Sequence, residues 1–126
     1  MKWENINQLC DIVRETGFSI HRYLRSGHLE KVYENALTHR LQKLGLHVIQ
    51  QHPLAVYDED GFVLGSYFAD LFIEGCLIVE LKACRVLQPI HEAQLLTYLK
   101  LSKIHRGLLI NFNTPLLRNG IKRFVL

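Results

Sequence analysis

The chain has 126 residues, of which 48% are hydrophobic and 21% charged, and its formal net charge at pH 7 is +3. This length and balance fit one folded domain over residues 1–126 rather than a disordered chain. No apolar run approaches the roughly 20 residues that a membrane-spanning helix needs, and the N-terminus lacks the apolar segment of a secretion signal. We therefore expect a cytoplasmic protein without a membrane partner. The charge permits nucleic-acid binding but is too small to indicate it.

The cysteine pattern argues against two kinds of cofactor. Cys10, Cys76 and Cys84 are three in number, and none belongs to a C-x-x-C pair. A cysteine-bound iron–sulfur cluster needs four thiolates, and structural zinc sites usually have four ligands in close local pairs. We therefore expect free thiols that fill small apolar spaces.

Two helices are predicted in the first third of the chain. Residues 4–24 show a helical apolar pattern that is disturbed near Gly17. From Leu29 to Leu44 the apolar residues recur at steps of three, one and three, which places them on one helical face, and Gly45 is a typical left-handed C-terminal cap. The members of this predicted face are Leu29, Val32, Tyr33, Ala36, Leu37, Arg40, Leu41 and Leu44.

The middle of the chain predicts strands. Two almost entirely apolar runs, 67–73 and 77–83, flank Glu74-Gly75-Cys76, which predicts a hairpin with a three-residue loop. The other predicted elements are an irregular or edge strand at 47–57 interrupted by Pro53, a turn at 58–61, an extended piece at 62–65, a helix at about 90–102, a buried strand at 107–113 and a short strand at 121–126. This order predicts an α/β fold in which helices cover a sheet.

Three charged residues interrupt the apolar hairpin strands. Burying an unpaired charge is costly, so Asp70, Glu80 and Lys82 must pair with one another, face solvent or serve a site. With a three-residue loop, Asp70 lies directly across from Glu80, and alternation along the strand places Glu80 and Lys82 on the same face. Facing carboxylates repel, so a cation is expected between them.

Two interpretations of this cluster are open. In the first, Lys82 is the cation and the cluster only stabilises the strand ends. In the second, Asp70 and Glu80 bind a divalent metal such as Mg²⁺, which takes one or two carboxylates plus water and phosphate oxygens. Lys82 would then orient the attacking water and stabilise charge on the phosphate. The second interpretation suits metal-assisted hydrolysis of phosphodiesters.

The spacing of these residues resembles a known signature. Asp70 followed by Glu80-Leu81-Lys82 is similar to the signature of the PD-(D/E)XK nuclease superfamily, with Ala69 in place of the proline. The segment 27–33, GHLEKVY, fits the motif of the GxxExxY family, a small branch of that superfamily. Similar blocks follow at 69–71, 78–83, 91–99 and 109–113, so the resemblance covers roughly residues 20–126.

The resemblance implies a restriction-endonuclease-like α/β core in which a mixed sheet is flanked by helices, in the order helix, three strands, helix, strand. It implies a nuclease that hydrolyses DNA phosphodiesters with Mg²⁺ or Mn²⁺. Asp70 and Glu80 would bind the metal, Lys82 would complete the catalytic set, and Glu30 would match the acidic residue on the first core helix. Gln94 and Tyr98 match the Q-x-x-x-Y of exonuclease-type members, which borders the nucleic acid.

Each of these assignments has a structural alternative. If Gly27 is the N-cap, Glu30 lies at N3, where a carboxylate caps the helix start. Gln94 and Tyr98, one turn apart, would otherwise form the edge of an amphipathic helix. Tyr33 is expected to pack in the core, with its hydroxyl available for a hydrogen bond.

At the level of function, the alternative is a catalytically silent nuclease-fold module that binds nucleic acid or a protein partner. DNA is the favoured nucleic acid. A homodimer is compatible with the sequence, because so small a nuclease would cover two strands only by pairing, but no residue requires it.

Overall fold

The computed structural model describes residues 5–126, with eight main helices and strands in this part of the chain. The helices are α1 (Ile6–Leu24), α2 (Glu30–Lys43) and α3 (Pro89–Ser102), and a short 3₁₀ turn covers Leu117–Gly120. The strands are β1 (Val48–Tyr57), β2 (Val63–Ile73), β3 (Leu77–Lys82), β4 (Arg106–Asn111) and β5 (Ile121–Val125).

The five strands form one mixed sheet in the order β1-β2-β3-β4-β5. β3 and β4 are parallel and are connected through α3, whereas the other neighbouring strands are antiparallel. The predicted core of helix, three strands, helix and strand is confirmed, with β5 added at one edge. β1 forms the other edge, which tolerates Pro53 because an edge strand needs fewer ladder hydrogen bonds.

Side-chain alternation in β3 separates the two faces of the sheet. Leu77, Val79 and Leu81 are buried in the core beneath α1 and α2, whereas Ile78 belongs to a second core beneath α3. Glu80 and Lys82 share the parity of Ile78, so they are on the α3 side of the strand. The predicted separation of these two charged residues from Leu81 is confirmed.

The structure corrects two details of the helices. α1 continues through Gly17 without interruption, and this residue is buried. On α2, Tyr33, Leu37 and Leu41 are buried as predicted, whereas Val32 is exposed, as are Leu29 and Leu44 at the two ends of the helix. The buried face also includes two polar residues, Glu34 and Thr38.

The predicted start of the first helix, residue 4, and most of the N-terminal segment used to assess secretion lie outside the described residues. Over residues 5–126, the structure contains no helix with the length and apolar character required to cross a bilayer.

Candidate active site

β2 and β3 bring two carboxylates together where their backbone pairing stops. The loop between them is residues 74–76, as predicted, and the backbone pairing of β2 with β3 ends at Leu71. One position further, the backbone N–H of Asp70 donates to Glu80 Oε1 at 2.7 Å, and the N–H of Leu81 donates to Asp70 Oδ2 at 2.8 Å. The two carboxylates thus lie across from each other. Their oxygens accept from backbone N–H groups at the point where the next backbone-to-backbone hydrogen bonds would form.

These carboxylates are buried, and their charges repel. Asp70 is 8% exposed and Glu80 is 3% exposed. Burial, followed by repulsion from Asp70, raises the pKa of Glu80 to about 8. Burial also raises the pKa of Asp70, opposed by hydrogen bonds from Leu81 and Gln51. Without a bound cation, Glu80 is therefore mostly protonated at neutral pH.

Lys82 does not form the ion-pair cluster that the structural interpretation expected. Its Nζ donates to Gln94 Oε1 at 3.3 Å, and no ion pair in the described part of the chain joins it to Asp70 or Glu80. It is near enough to lower the pKa of both carboxyl groups. The two acids therefore face each other without a bonded counterion among residues 5–126.

A cleft of about 470 Å³ opens beside Lys82, between α3 and the sheet. Gln94 Nε2 donates to Tyr98 Oη at 2.8 Å, so Lys82, Gln94 and Tyr98 form one hydrogen-bonded chain along the cleft. The ring of Tyr67, from β2, lies 5.7 Å from that of Tyr98 and lines the same cleft. A larger hollow, of about 700 Å³, lies along α1 and α2 and includes none of these residues.

Glu30 is close to the carboxylate pair but does not cap its helix. The N-cap is Leu29 rather than Gly27, so Glu30 is the first residue of α2 and makes no capping hydrogen bond. The capping interpretation is therefore wrong. Burial raises the pKa of Glu30, and the next largest cause is the charge of Asp70. Glu30 thus contributes a third acidic group to the surroundings of Asp70.

Two polar residues that the sequence analysis did not select join this site. Glu34, one turn after Glu30, is 2% exposed and accepts hydrogen bonds from Gln50 and Gln51. Gln51 also donates to Asp70, at 3.1 Å. The spacing of four residues between Glu30 and Glu34 was a usable signal, because it places both on one helix face.

The tyrosine of the G-x-x-E-x-x-Y segment is structural, as expected. Tyr33 is fully buried and stacks on Phe112, with ring centroids 4.5 Å apart. Its hydroxyl donates to the carbonyl of Arg25 and accepts from the N–H of His28. Tyr33 therefore holds the segment that leads into Glu30.

The carboxylates of Asp70 and Glu80 suit a hard divalent cation that takes most of its ligands from water and phosphate oxygens. In the described residues, no group of three or more His, Cys, Asp or Glu side chains could hold a metal ion. Two carboxylates with repelling charges remain, and Mg²⁺ characteristically takes one or two carboxylates and completes its shell with water and phosphate oxygens. The residues present fit such an ion and do not fit a structural zinc site.

Comparison with protein families agrees with this geometry. The family model of the PD-(D/E)XK nuclease superfamily matches residues 7–124. The chain belongs to this superfamily, whose members generally use divalent metal ions. Neither the curated proteins nor the solved structures that were compared include a significant match.

Proposed function

We propose that the protein is a metal-dependent nuclease that hydrolyses phosphodiester bonds in DNA. The observation that supports this most directly is the buried pair of Asp70 and Glu80, which face each other without a bonded counterion in the described residues. Burial raises the pKa of both groups and the charge of Asp70 raises that of Glu80 further, so the pair opposes folding when it is charged, which favours a role other than stabilisation.

Asp70 and Glu80 would hold Mg²⁺ or Mn²⁺. When bound, such an ion polarises the phosphate and lowers the pKa of a water molecule. Lys82, held by Gln94 at 3.3 Å, would position that water and stabilise negative charge on the phosphate. Glu30, which is close to Asp70, would support the water shell of the metal.

The cleft beside Lys82 would receive the nucleic acid. Gln94 and Tyr98 would frame the substrate, and the exposed face of Tyr67 offers a surface on which a base can stack. Membership of the GxxExxY branch, DNA as substrate, a homodimer, a single domain over residues 1–126 and a cytoplasmic location remain our predictions.

The test is cleavage of labelled single- and double-stranded DNA and RNA with Mg²⁺ or Mn²⁺, comparing wild type with Asp70→Ala and Lys82→Ala. Both variants should lose cleavage, whereas Lys100→Ala, an exposed lysine on α3, should retain it. Activity unchanged in both site variants would contradict the mechanism. Nucleic-acid binding without cleavage in any metal, with the same affinity in Asp70→Asn, would support the silent binding module instead.

A further inference from the structure

Gln51 has a backbone conformation that is unusual for its residue type. It lies inside β1 but has a φ of 52°, in the left-handed region that L residues with a side chain seldom adopt. Residues held in such conformations persist where surrounding contacts determine them, and they concentrate at functional sites. The contacts of Gln51 are therefore informative.

The pairing between β1 and β2 places Gln51 opposite Asp70. Gln50 pairs with Leu71 and His52 pairs with Ala69, whereas Gln51 and Asp70 are skipped. On the other side of β2, Asp70 uses its backbone N–H for Glu80 Oε1. The regular sheet is thus interrupted on both sides of Asp70, and the left-handed residue is directly across from it.

The side chain of Gln51 connects Asp70 to a buried anchor. Its Nε2 donates to Asp70 Oδ1 at 3.1 Å and to Glu34 Oε1 at 2.9 Å. Glu34 is itself held on α2, since its Oε2 accepts from Lys31 at 2.8 Å and from Gln50 at 2.7 Å. A chain of contacts therefore runs from the buried face of α2 to Asp70.

The carboxylate of Asp70 is consequently fixed from two strands. Its Oδ2 accepts from the N–H of Leu81 on β3, and its Oδ1 accepts from Gln51 on β1. Each carboxylate oxygen has two lone pairs, so each keeps one available for a further ligand once Glu80 has lost the proton that it shares with Asp70. This arrangement holds the plane of the carboxylate without consuming its capacity to bind a cation.

We propose that Gln51 is a positioning residue for metal binding: its left-handed backbone aims its amide at Asp70, and Glu34 anchors that amide. The inference rests on the proposed function, because it takes Asp70 as a metal ligand. Partners that orient a metal ligand in this way typically change metal affinity by about 10–100-fold when they are removed.

The variant Gln51→Gly separates this role from a purely structural one. Glycine adopts a positive φ without steric cost, so the variant relieves the backbone while removing the amide. The lost amide also takes a hydrogen bond from the buried Glu34 and from Asp70, which opposes the gain from the relaxed backbone, so the melting temperature does not separate the two roles. The Kd for Mn²⁺ separates them: a positioning role predicts an increase of about tenfold or more, and a purely structural role predicts unchanged metal affinity.

The matched control is Gln42→Ala. Gln42 is an exposed glutamine on α2 whose side chain makes no hydrogen bond to Glu34 or Asp70 in the described part of the chain, so its removal should leave the Kd for Mn²⁺ close to that of wild type. Gln51→Asn is a second test variant, because asparagine tolerates a left-handed backbone but its shorter amide cannot span both carboxylates. It should also bind Mn²⁺ more weakly.

Isothermal titration of Mn²⁺ into the full chain, with thermal melting of the metal-free protein, measures all of these quantities. Binding by wild type that is unchanged in Gln51→Gly and Gln51→Asn would overturn this inference alone. An equal loss in Gln42→Ala would also overturn it, because the loss would then not depend on the contact to Asp70. Absence of Mn²⁺ binding by wild type would overturn the proposed function together with it.

Discussion

The backbone N–H of Asp70 donates to the carboxylate of Glu80 at 2.7 Å, so one acidic residue of the site holds the other in position. The contact uses no side-chain atom of Asp70, which leaves that carboxylate free to accept from Leu81 and Gln51. The two acids are thus brought together by main-chain geometry although their charges repel. Burial, followed by the charge of Asp70, raises the pKa of Glu80 to about 8.

The metal-free protein should lose stability as the pH rises. Glu80 has a pKa of about 8 in the folded state against 4.5 without the influence of the fold, so the folded state binds more protons between these values. The stabilisation is fully present below pH 4.5 and is lost as the pH rises through about 8. The unfolding free energy should fall by up to about 1.4 kcal/mol per pH unit for this one proton. Urea denaturation in a chelating buffer at several pH values measures it.

Glu80→Gln should flatten that pH dependence. A glutamine still accepts a hydrogen bond from the N–H of Asp70 but does not titrate in this pH range. Glu92→Gln is the matched control, because Glu92 lies on α3 in an ion pair with Lys122, away from the carboxylate pair. A slope that persists in Glu80→Gln would show that another group titrates.

Mn²⁺ should raise the melting temperature, and more strongly at pH 8 than at pH 6. A carboxylate must lose its proton to bind a metal, so protons compete with the ion at Glu80 at the lower pH. At 100 times its Kd, a ligand that binds only the folded state adds about 2.7 kcal/mol to the unfolding free energy. Thermal melting of wild type beside Asp70→Asn measures this; an equal shift in the variant would place the ion elsewhere.

Gln94→Ala should lower kcat, and Lys82→Ala should lower it further. Gln94 accepts from the charged Lys82 at 3.3 Å, and a hydrogen bond to a charged group contributes about 1.5–3 kcal/mol, so its loss should reduce the rate about tenfold or more. Loss of Lys82 itself should cost about a hundredfold or more, the usual range for a group that assists proton transfer. Steady-state kinetics on an oligonucleotide gives both values. Losses that add in the double variant would show that Gln94 acts independently of Lys82.

Tyr33→Phe should destabilise the protein without changing the carboxylate pair. The variant keeps the ring stacked on Phe112 but removes the partner of the Arg25 carbonyl and of the His28 N–H. Leaving such groups without partners costs about 1–3 kcal/mol. Urea denaturation should show this loss, whereas Tyr23→Phe, at an exposed tyrosine, should denature like wild type.

The hairpin was predictable because its determinants are local. Glu74-Gly75-Cys76 specifies a three-residue loop, and the loop length sets which residues of β2 and β3 face each other. From that register alone, Asp70 was expected across from Glu80. The alternation of side chains along β3 likewise separated Lys82 from Leu81.

Gln51 and Glu34 were not predictable by the same means. The opposition of Gln51 and Asp70 depends on the pairing of two long strands, with an irregularity near Val56, and on a left-handed backbone that the residue type disfavours. On α2, the apolar pattern fitted a face that included Val32, which is exposed, and omitted Glu34, which is buried. Glu34 is buried with hydrogen-bond partners on β1, and no periodicity of apolar residues reports such partners.

The end of the β2–β3 ladder has a consequence for how the proposed nuclease activity could be lost in evolution. Because the carboxylates of Asp70 and Glu80 also accept main-chain hydrogen bonds, the fold and the chemistry depend on the same oxygen atoms. Asparagine or glutamine at these positions keeps an acceptor and removes the charge, whereas alanine removes both. A relative that keeps this fold without hydrolytic activity should therefore carry asparagine or glutamine at these two positions. The residue types at positions 70 and 80 would then distinguish inactive relatives from active ones by sequence alone.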